Sequence, residues 1–321
     1  MSNSSPYGVL DFLSWDHEWN SYHYRGDKLE EGIALMKEAG VGFVRVDFLW
    51  EDIEPKREEL HFEKYERLTR LLSKHGIQTL GLLSYNASWA AGRWNAPPDP
   101  ALFLRYAAAV AAHFKNEVKF WEVWNEPDEA VYWGPQDELR SYAALLKKVY
   151  PVLKKESPSS TVLMGCVSHD IPLSISRLYA LDCGGFFDVV NIHPFINPLE
   201  AGASAKLKDV HSRVHELMRK NGDAKKPVWL TEIGCPGVPE GKQAKEWWMG
   251  RNPTEAEQAE WVRKVYVEPL RWEGVEKIFW AFFRDAPDHF KNGIDYFGLV
   301  REDFSKKPAF EAYQEIAISH Y

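Results

Sequence analysis

Two glutamates stand at the ends of apolar, strand-like segments, where they could support acid–base and nucleophilic chemistry. Segment 120–128 reads FWEVWNEPD; its alternation is typical of a strand, which Pro127 must end beside Glu126 because proline cannot donate to a continuing ladder. Segment 227–234 reads PVWLTEIG, so a second apolar strand runs into Glu232. A carboxyl group that lies among tryptophans, where a strand passes into a loop, is expected to have a raised pKa, and this suits a proton donor. Cleavage of an acetal by acid–base and nucleophilic catalysis requires at least two such carboxyl groups.

Strand-like and helix-like segments alternate strictly along the chain, and this alternation predicts the fold. The strands are expected at 7–13, 42–48, 77–83, 119–125, 161–167, 187–192, 228–231 and 275–282. The helices are expected at 28–39, 63–75, 99–115, 136–155, 173–181, 204–220, 254–271 and 308–319. Each helix then serves as the crossover between parallel strands, and eight such units predict a single (β/α)₈ TIM barrel of class α/β over residues 1–321.

An open, doubly wound sheet is the alternative fold. It is disfavoured because no strand is followed by a glycine-rich phosphate loop, and because the candidate chemistry follows several different strands. In a barrel, the longest loops, 234–251 and 286–307, follow strands seven and eight and are expected to rise over the active face.

Composition excludes several classes of function. The chain has 321 residues, a net charge of -8 and a pI of about 5.8, so it has no basic field for nucleic acid. No apolar run is long enough to span a membrane, and residues 1–6 lack the basic and apolar regions of a signal peptide. The protein is therefore expected to be cytoplasmic, or to be secreted or periplasmic if a signal peptide has been removed from this sequence. The 14 Trp, 14 Tyr and 17 Phe slightly favour a carbohydrate ligand.

The barrel hypothesis brings the two glutamates together. Strands four and seven lie on opposite sides of an eight-membered ring, and their carboxyl ends face the same mouth. Glu126 and Glu232 are therefore expected to point across one shared cleft.

The motifs around these residues resemble the retaining glycoside hydrolases of clan A and look closest to families 39 and 5. In that group the acid/base follows an asparagine at the end of strand four, and the nucleophile ends strand seven. The matching segments are 124–127 (WNEP), 229–234 (WLTEIG), 43–47 (FVRVD), 191–194 (NIHP), 279–280 (FW), 296–304 (YFGLVREDF) and 307–313 (KPAFEAY).

The resemblance implies a retaining hydrolysis of β-linked oligo- or polysaccharides, such as plant or bacterial exopolysaccharides, with Glu126 as acid/base and Glu232 as nucleophile. Arg45 would keep the nucleophile ionised, and Asn125 would bind the sugar 2-hydroxyl. The other residues expected to bind substrate are His193, Trp280, Trp89, Asn86 and Trp50. Further tryptophans in or beside the active-face loops are candidate sugar platforms: Trp94, Trp133, Trp247 and Trp248. No metal or organic cofactor is implied, because there is no H-E-x-x-H motif and the eleven histidines are scattered.

Each assignment has a simpler structural alternative. Glu126 could be an exposed loop acid, and Glu232 could be a buried partner of Arg45. Arg45 could instead pair with Glu122 inside the barrel, and His193 could be a satisfied core histidine. Trp280 and Asn125 could likewise serve packing and turn formation.

Two other classes of function also fit a barrel. A non-catalytic carbohydrate-binding barrel would keep the tryptophans but would not need both glutamates. A metal-dependent barrel enzyme could use Asp47, Glu126, His193 and Glu232 as ligands. The identity of the sugar, its α or β linkage and endo or exo action depend on loop shape, and transglycosylation depends on water access. These motifs encode none of these properties, nor the oligomeric state.

Overall fold

The computed structural model of the protein describes residues 5–18, 20, 22, 24 and 28–319. The strands within these ranges are β1 (Tyr7–Leu10), β2 (Phe43–Leu49), β3 (Gln78–Ser84), β4 (Phe120–Val123), β5 (Thr161–Leu163), β6 (Val190–Ile192), β7 (Val228–Ile233) and β8 (Val275–Ala281). The α-helices are α1 (Lys28–Glu38), α2 (Trp50–Ile53), α3 (Glu63–Lys74), α4 (Pro100–His113), α5 (Arg140–Glu156), α6 (Ile171–Ala180), α7 (Ala203–Lys220), α8 (Glu255–Val267) and α9 (Pro308–Ser319). The predicted alternation is confirmed, with α2 as one extra turn after β2.

The strands form a closed parallel barrel. They pair in the order β5-β4-β3-β2-β1-β8-β7-β6. Two isolated parallel bridges, from Leu163 to Val189 and from Val167 to Ile192, close the ring between the segments that contain β5 and β6. The (β/α)₈ prediction is therefore confirmed, and the open doubly wound sheet is excluded.

Helix ends follow the predicted capping chemistry, whereas some element boundaries differ. Asp99 caps α4 by accepting a hydrogen bond from the amide of Ala101 (2.8 Å), and Thr254 and Glu257 form a capping box at α8. The helix predicted from residue 136 begins at Arg140, because residues 136–139 belong to the loop after β4.

Inward-facing residues change from apolar to polar along the barrel axis. The bottom layer consists of aromatic and aliphatic side chains: Phe43, Leu80, Leu163, Val189, Trp229 and Phe279. Residues two positions further along a strand lie on the same face, and here they include the buried polar residues Arg45, Asn191 and Thr231, joined by Glu122 from β4. Buried polar groups are costly unless hydrogen-bonded. This polar layer must therefore be a connected network beneath the mouth.

The loops after β7 and β8 are tied together by one buried lysine. The ammonium of Lys307 donates to Asp285 Oδ1 (2.8 Å) and to the backbone oxygens of Gly237 (3.1 Å) and Tyr296 (3.0 Å). These partners lie in both loops, 234–254 and 282–307, so Lys307 fixes the two loops relative to each other. Among the helices of the described residues, none combines the length and apolar character needed to cross a membrane.

Candidate active site

The two strand-end glutamates meet at the mouth of the barrel. One carboxylate oxygen of Glu126, one of Glu232 and a ring nitrogen of His193 all lie within 4.8 Å of one another. Retaining glycosidases hold their two carboxyl groups roughly 5–5.5 Å apart, whereas inverting enzymes hold them roughly 6.5–9.5 Å apart to admit a water. The spacing therefore fits direct nucleophilic attack.

Glu126 reaches the mouth because the backbone leaves strand geometry after β4. Trp124 and Glu126 both adopt positive φ, 71° and 43°, a conformation that costs a bulky residue roughly 1–3 kcal/mol. Trp124 turns away from the barrel axis and packs against Trp133, with ring centroids 4.9 Å apart. Asn125 and Glu126 then line the central cavity.

Glu232 reaches the same mouth through an irregularity in β7. Thr231 faces the interior and is fully buried, so regular alternation would turn Glu232 outward. The register between β7 and β8 shifts between Leu230 and Ile233, and such bulges re-aim side chains at barrel rims. Glu232 lines the cavity as a result.

Arg45 connects the polar layer to the nucleophile candidate. Its guanidinium donates to Glu122 Oε2 (2.6 Å), Glu232 Oε1 (2.7 Å) and Asn125 Oδ1 (2.8 Å). Arg45 therefore forms both of the ion pairs that the sequence suggested, one with Glu122 and one with Glu232. Burial raises the pKa of Glu232, and the positive charge of Arg45 opposes that shift and favours its carboxylate form.

Glu126 sits in a different electrostatic environment. Burial raises the pKa of Glu126 to about 7, and although Arg45 lowers it, Glu129 adds to the rise. Glu126 Oε1 lies 2.6 Å from Nδ1 of His193, whose Nε2 lies 3.0 Å from Thr231 Oγ1. Burial lowers the pKa of His193 to about 4, so its imidazole is neutral near pH 7. Glu126 is therefore the carboxyl group that retains a proton near neutrality.

A cavity of about 660 Å³ opens over the two carboxylates, within the range of small-molecule sites. Four of the predicted site residues line it: Arg45, Asn125, Glu126 and Glu232. His193 lies beneath the cavity and is fully buried. His193 therefore contacts the carboxyl groups of Glu126 and Glu232, and it would act on a substrate only through Glu126.

The prediction that Trp280 binds the substrate is wrong in this structure. Phe279 belongs to the bottom layer inside the barrel, so alternation turns Trp280 outward. Trp280 is fully buried, and its indole donates to the backbone oxygen of Phe297 (2.7 Å). Phe282, two residues further on, lines the cavity instead.

Three further predicted binding residues are structural in this arrangement. Trp50 is fully buried and donates to Glu54 Oε2 (2.8 Å), and Trp89 donates to the backbone oxygen of Glu54 (2.6 Å). The side-chain amide of Asn86 donates to the backbone oxygen of Ala96 (2.6 Å). None of the three lines the cavity, because each holds the loop that follows β2 or β3.

The cavity is also lined by residues outside the set expected to bind substrate. Asp47 is buried at the end of β2 and accepts hydrogen bonds from the indole of Trp15 (2.9 Å) and the hydroxyl of Ser84 (3.1 Å). The aromatic lining comprises Phe12, Trp15, Tyr85, Trp94, Tyr132, Phe195, Trp247, Trp248, Phe282, Phe290 and Phe297. Of the candidate platforms, Trp94, Trp247 and Trp248 line the cavity, whereas Trp133 is buried against Trp124. The sequence feature that could have identified Asp47 as a cavity residue is its position near the end of a strand, two residues after Arg45.

Glu126, His193 and Glu232 are also close enough to share a metal ion. The charge balance disfavours that use, because Arg45 already places a fixed positive charge 2.7 Å from Glu232 Oε1. A divalent cation held by these ligands would lie close to the guanidinium and be repelled by its positive charge.

Comparison with known proteins confirms the resemblance to clan A glycoside hydrolases. The model of glycosyl hydrolase family 1 matches residues 12–136, a range that includes Glu126 but not Glu232. A 6-phospho-beta-glucosidase of Dickeya chrysanthemi is 33% identical over 106 residues, which cover 30% of this chain and 23% of that protein. Beta-glucosidase 47 of Arabidopsis thaliana is 30% identical over 124 residues, 35% of this chain and 22% of that protein. The matches thus span about a quarter of these relatives.

Solved structures resemble nearly the whole chain. A family 39 glycoside hydrolase from Bacteroides cellulosilyticus superposes with a TM-score of 0.73 at 23% identity, covering 99% of this chain and 64% of that one. A monomeric beta-xylosidase from Caulobacter crescentus superposes with a TM-score of 0.72 at 17% identity, covering 98% of this chain and 68% of that one. At these identities the structural likeness shows the shared barrel fold.

Proposed function

We propose that the protein is a retaining β-glycosidase in which Glu232 is the nucleophile and Glu126 the acid/base. One observation carries the proposal: two carboxyl groups in different protonation environments face each other within 4.8 Å across a cavity that could hold a sugar ring. The β-glucosidase and β-xylosidase relatives support a β-linked substrate.

In the first step, Glu232 attacks the anomeric carbon while Glu126 donates its proton to the glycosidic oxygen. The carbon–oxygen bond breaks, the leaving group departs as an alcohol, and a glycosyl ester forms on Glu232. The hydrogen bond from Arg45 to Glu232 supports a role for Arg45 in keeping the attacking oxygen ionised, and Asn125, which is held by Arg45, would bind the 2-hydroxyl.

In the second step, Glu126, now a carboxylate, takes a proton from water. The water oxygen attacks the anomeric carbon, the ester bond breaks, and Glu232 is released as a carboxylate. Two displacements at one carbon give net retention. His193 remains hydrogen-bonded to Glu126 and holds the carboxyl group in place in both steps.

The test is a panel of 4-nitrophenyl β-glycosides, including glucoside, xyloside and galactoside, followed by trapping with the matching 2-deoxy-2-fluoro glycoside. We expect turnover of at least one glycoside and a covalent adduct on Glu232 in the peptide mass spectrum. A Glu232→Gln variant should form no adduct. An adduct on another residue, or turnover without any adduct, would contradict the assignment of the nucleophile.

A metal-dependent barrel enzyme is the competing function, supported by the spacing of Glu126, His193 and Glu232. It predicts that dialysis against a chelator abolishes turnover of the nitrophenyl glycosides. We expect activity to survive the chelator unchanged.

A further inference from the structure

Exposed apolar side chains lie at the rim of the cavity. Trp94 is 49% exposed and Val131 is 57% exposed, yet both line the cavity that contains the two carboxylates. Single exposed apolar residues are normal on a protein surface, but adjacent ones at a ligand cavity indicate a binding surface. The rim therefore offers apolar area that a bound group could cover.

This part of the rim is continuous with the loop that carries the proton donor. The amide of Glu129 donates to the backbone oxygen of Glu126 (2.9 Å), and the amide of Tyr132 donates to that of Glu129 (3.0 Å). These turns place Val131 and Tyr132 beside Glu126. Trp94, in the loop after β3, packs edge-on against Tyr132 with ring centroids 6.3 Å apart.

Polar side chains near this rim are engaged in bracing the two loops. Arg93 donates to the backbone oxygen of Gly134 (2.9 Å), and Asn95 donates to that of Val131 (3.0 Å). Glu129 also lines the cavity, and its carboxylate lies 3.5 Å from the imidazole of His169, in the loop after β5. The surface presented by Trp94 and Val131 is therefore aromatic and aliphatic, with few polar partners for the hydroxyls of a second sugar.

We propose that Trp94, Val131 and Tyr132 form the site for the leaving group, and that this site takes an aromatic aglycone. The inference rests on the proposed glycosidase function. A proton donor must stand beside the glycosidic oxygen, so the group attached to that oxygen passes next to the donor's own loop. An aromatic ring stacked on Trp94 would contribute roughly a tenfold gain in transition-state binding.

The experiment compares substrates that share a sugar but differ in leaving group. Trp94→Ala and Val131→Ser are assayed on the 4-nitrophenyl β-glycoside, on the disaccharide and on the glycosyl fluoride, which has no aglycone to bind. We expect Trp94→Ala to lower kcat/KM roughly tenfold on the nitrophenyl substrate and to leave the fluoride nearly unchanged. The control is Ile318→Ala, a similarly exposed apolar residue (55%) on α9 that does not line the cavity.

Equal losses on the fluoride and the nitrophenyl glycoside would overturn the proposal, as would no loss on either. A greater loss on the disaccharide would show that the site binds a sugar instead.

Binding without turnover separates this proposal from the proposed function. In a Glu232→Gln background, calorimetry with phenyl and methyl β-D-glucosides and β-D-xylosides should show tighter binding of the phenyl member of a pair. Trp94→Ala should remove the difference. Equal affinities, or no binding of either phenyl glycoside, would overturn the aglycone site, whereas failure of the wild type to hydrolyse the fluoride would count against the glycosidase function alone.

Discussion

At the scale of single residues, the site depends on giving two chemically identical side chains different protonation states. Burial raises the pKa of both carboxyl groups, but Glu126 lies next to a neutral imidazole, whereas Glu232 accepts a hydrogen bond from a guanidinium that is itself anchored by Glu122. Such separation of two carboxyl groups by environment is what assigns one the acid role and the other the nucleophilic role.

The pH profile should report Glu126. The acid form is required for the first step, so kcat/KM should fall as pH rises through about 7, the raised pKa of Glu126. On the acid side, kcat/KM should fall as Glu232 becomes protonated. In Glu126→Gln the alkaline fall should disappear when hydrolysis of an activated aryl glycoside is followed against pH. An alkaline limb that persists in this variant would assign the titration to another group.

The dependence on leaving group gives a second test of Glu126. Glu126→Gln should lower kcat/KM on the order of 10²–10⁴-fold for alkyl glycosides, which need a proton on the departing oxygen. The loss should be much smaller for 2,4-dinitrophenyl glycosides, whose leaving group is stable as an anion. Parallel losses on both substrates would contradict the acid role.

At the scale of elements, departures from regular strand geometry decide which side chains enter the site. Trp280 lies in a regular part of β8 and points outward, whereas Glu232 follows a register shift and points into the mouth. Regular alternation would have assigned both residues to the outer face.

Two variants, one on β8 and one directly after it, test these side-chain directions. Trp280→Phe should cost about 1–3 kcal/mol in unfolding free energy, because it removes a buried hydrogen bond to Phe297, and it should leave KM for the nitrophenyl glycoside unchanged. Phe282→Ala should raise KM, because Phe282 lines the cavity. Urea unfolding and steady-state kinetics on both variants check this, and a KM effect confined to Trp280→Phe would reverse the assignment.

The sequence predicted elements better than it predicted side-chain directions. Alternating periodicity located all eight strands and the two glutamates at their ends, because burial and proline impose these patterns directly. The register shift before Glu232 and the positive φ of Trp124 depend on contacts with neighbouring strands, so no local pattern encodes them. For the same reason, Trp50, Trp89 and Asn86 were predicted to face the substrate although they brace loops.

At the scale of the whole molecule, the active face is held together by contacts between distant parts of the chain. Lys307, at the start of α9, is fully buried and joins the loops that follow β7 and β8. Those loops supply Trp247, Trp248 and Phe297 to the cavity wall. The terminal helix thereby contributes to the shape of the cavity without touching it.

Removing the ammonium of Lys307 should destabilise the folded state. Lys307→Met leaves the buried carboxylate of Asp285 without its cation and should lower the unfolding free energy by about 3–5 kcal/mol. The double variant Lys307→Met/Asp285→Leu should recover part of that loss in urea denaturation. The control is Lys306→Met, whose ammonium pairs with Glu38 at the surface and should cost about 0–1 kcal/mol. Equal losses for the two lysine variants would show that the buried link is not important.

The stereochemistry of the product tests the central claim most directly, because it reports how the two carboxyl groups act on one carbon. Proton NMR of a hydrolysed 4-nitrophenyl β-glycoside, recorded within the first minutes, should show the β-anomer of the free sugar first, followed by slow mutarotation. Initial appearance of the α-anomer would mean a single displacement by water, and would contradict the assignment of Glu126 and Glu232 as acid/base and nucleophile of a double displacement.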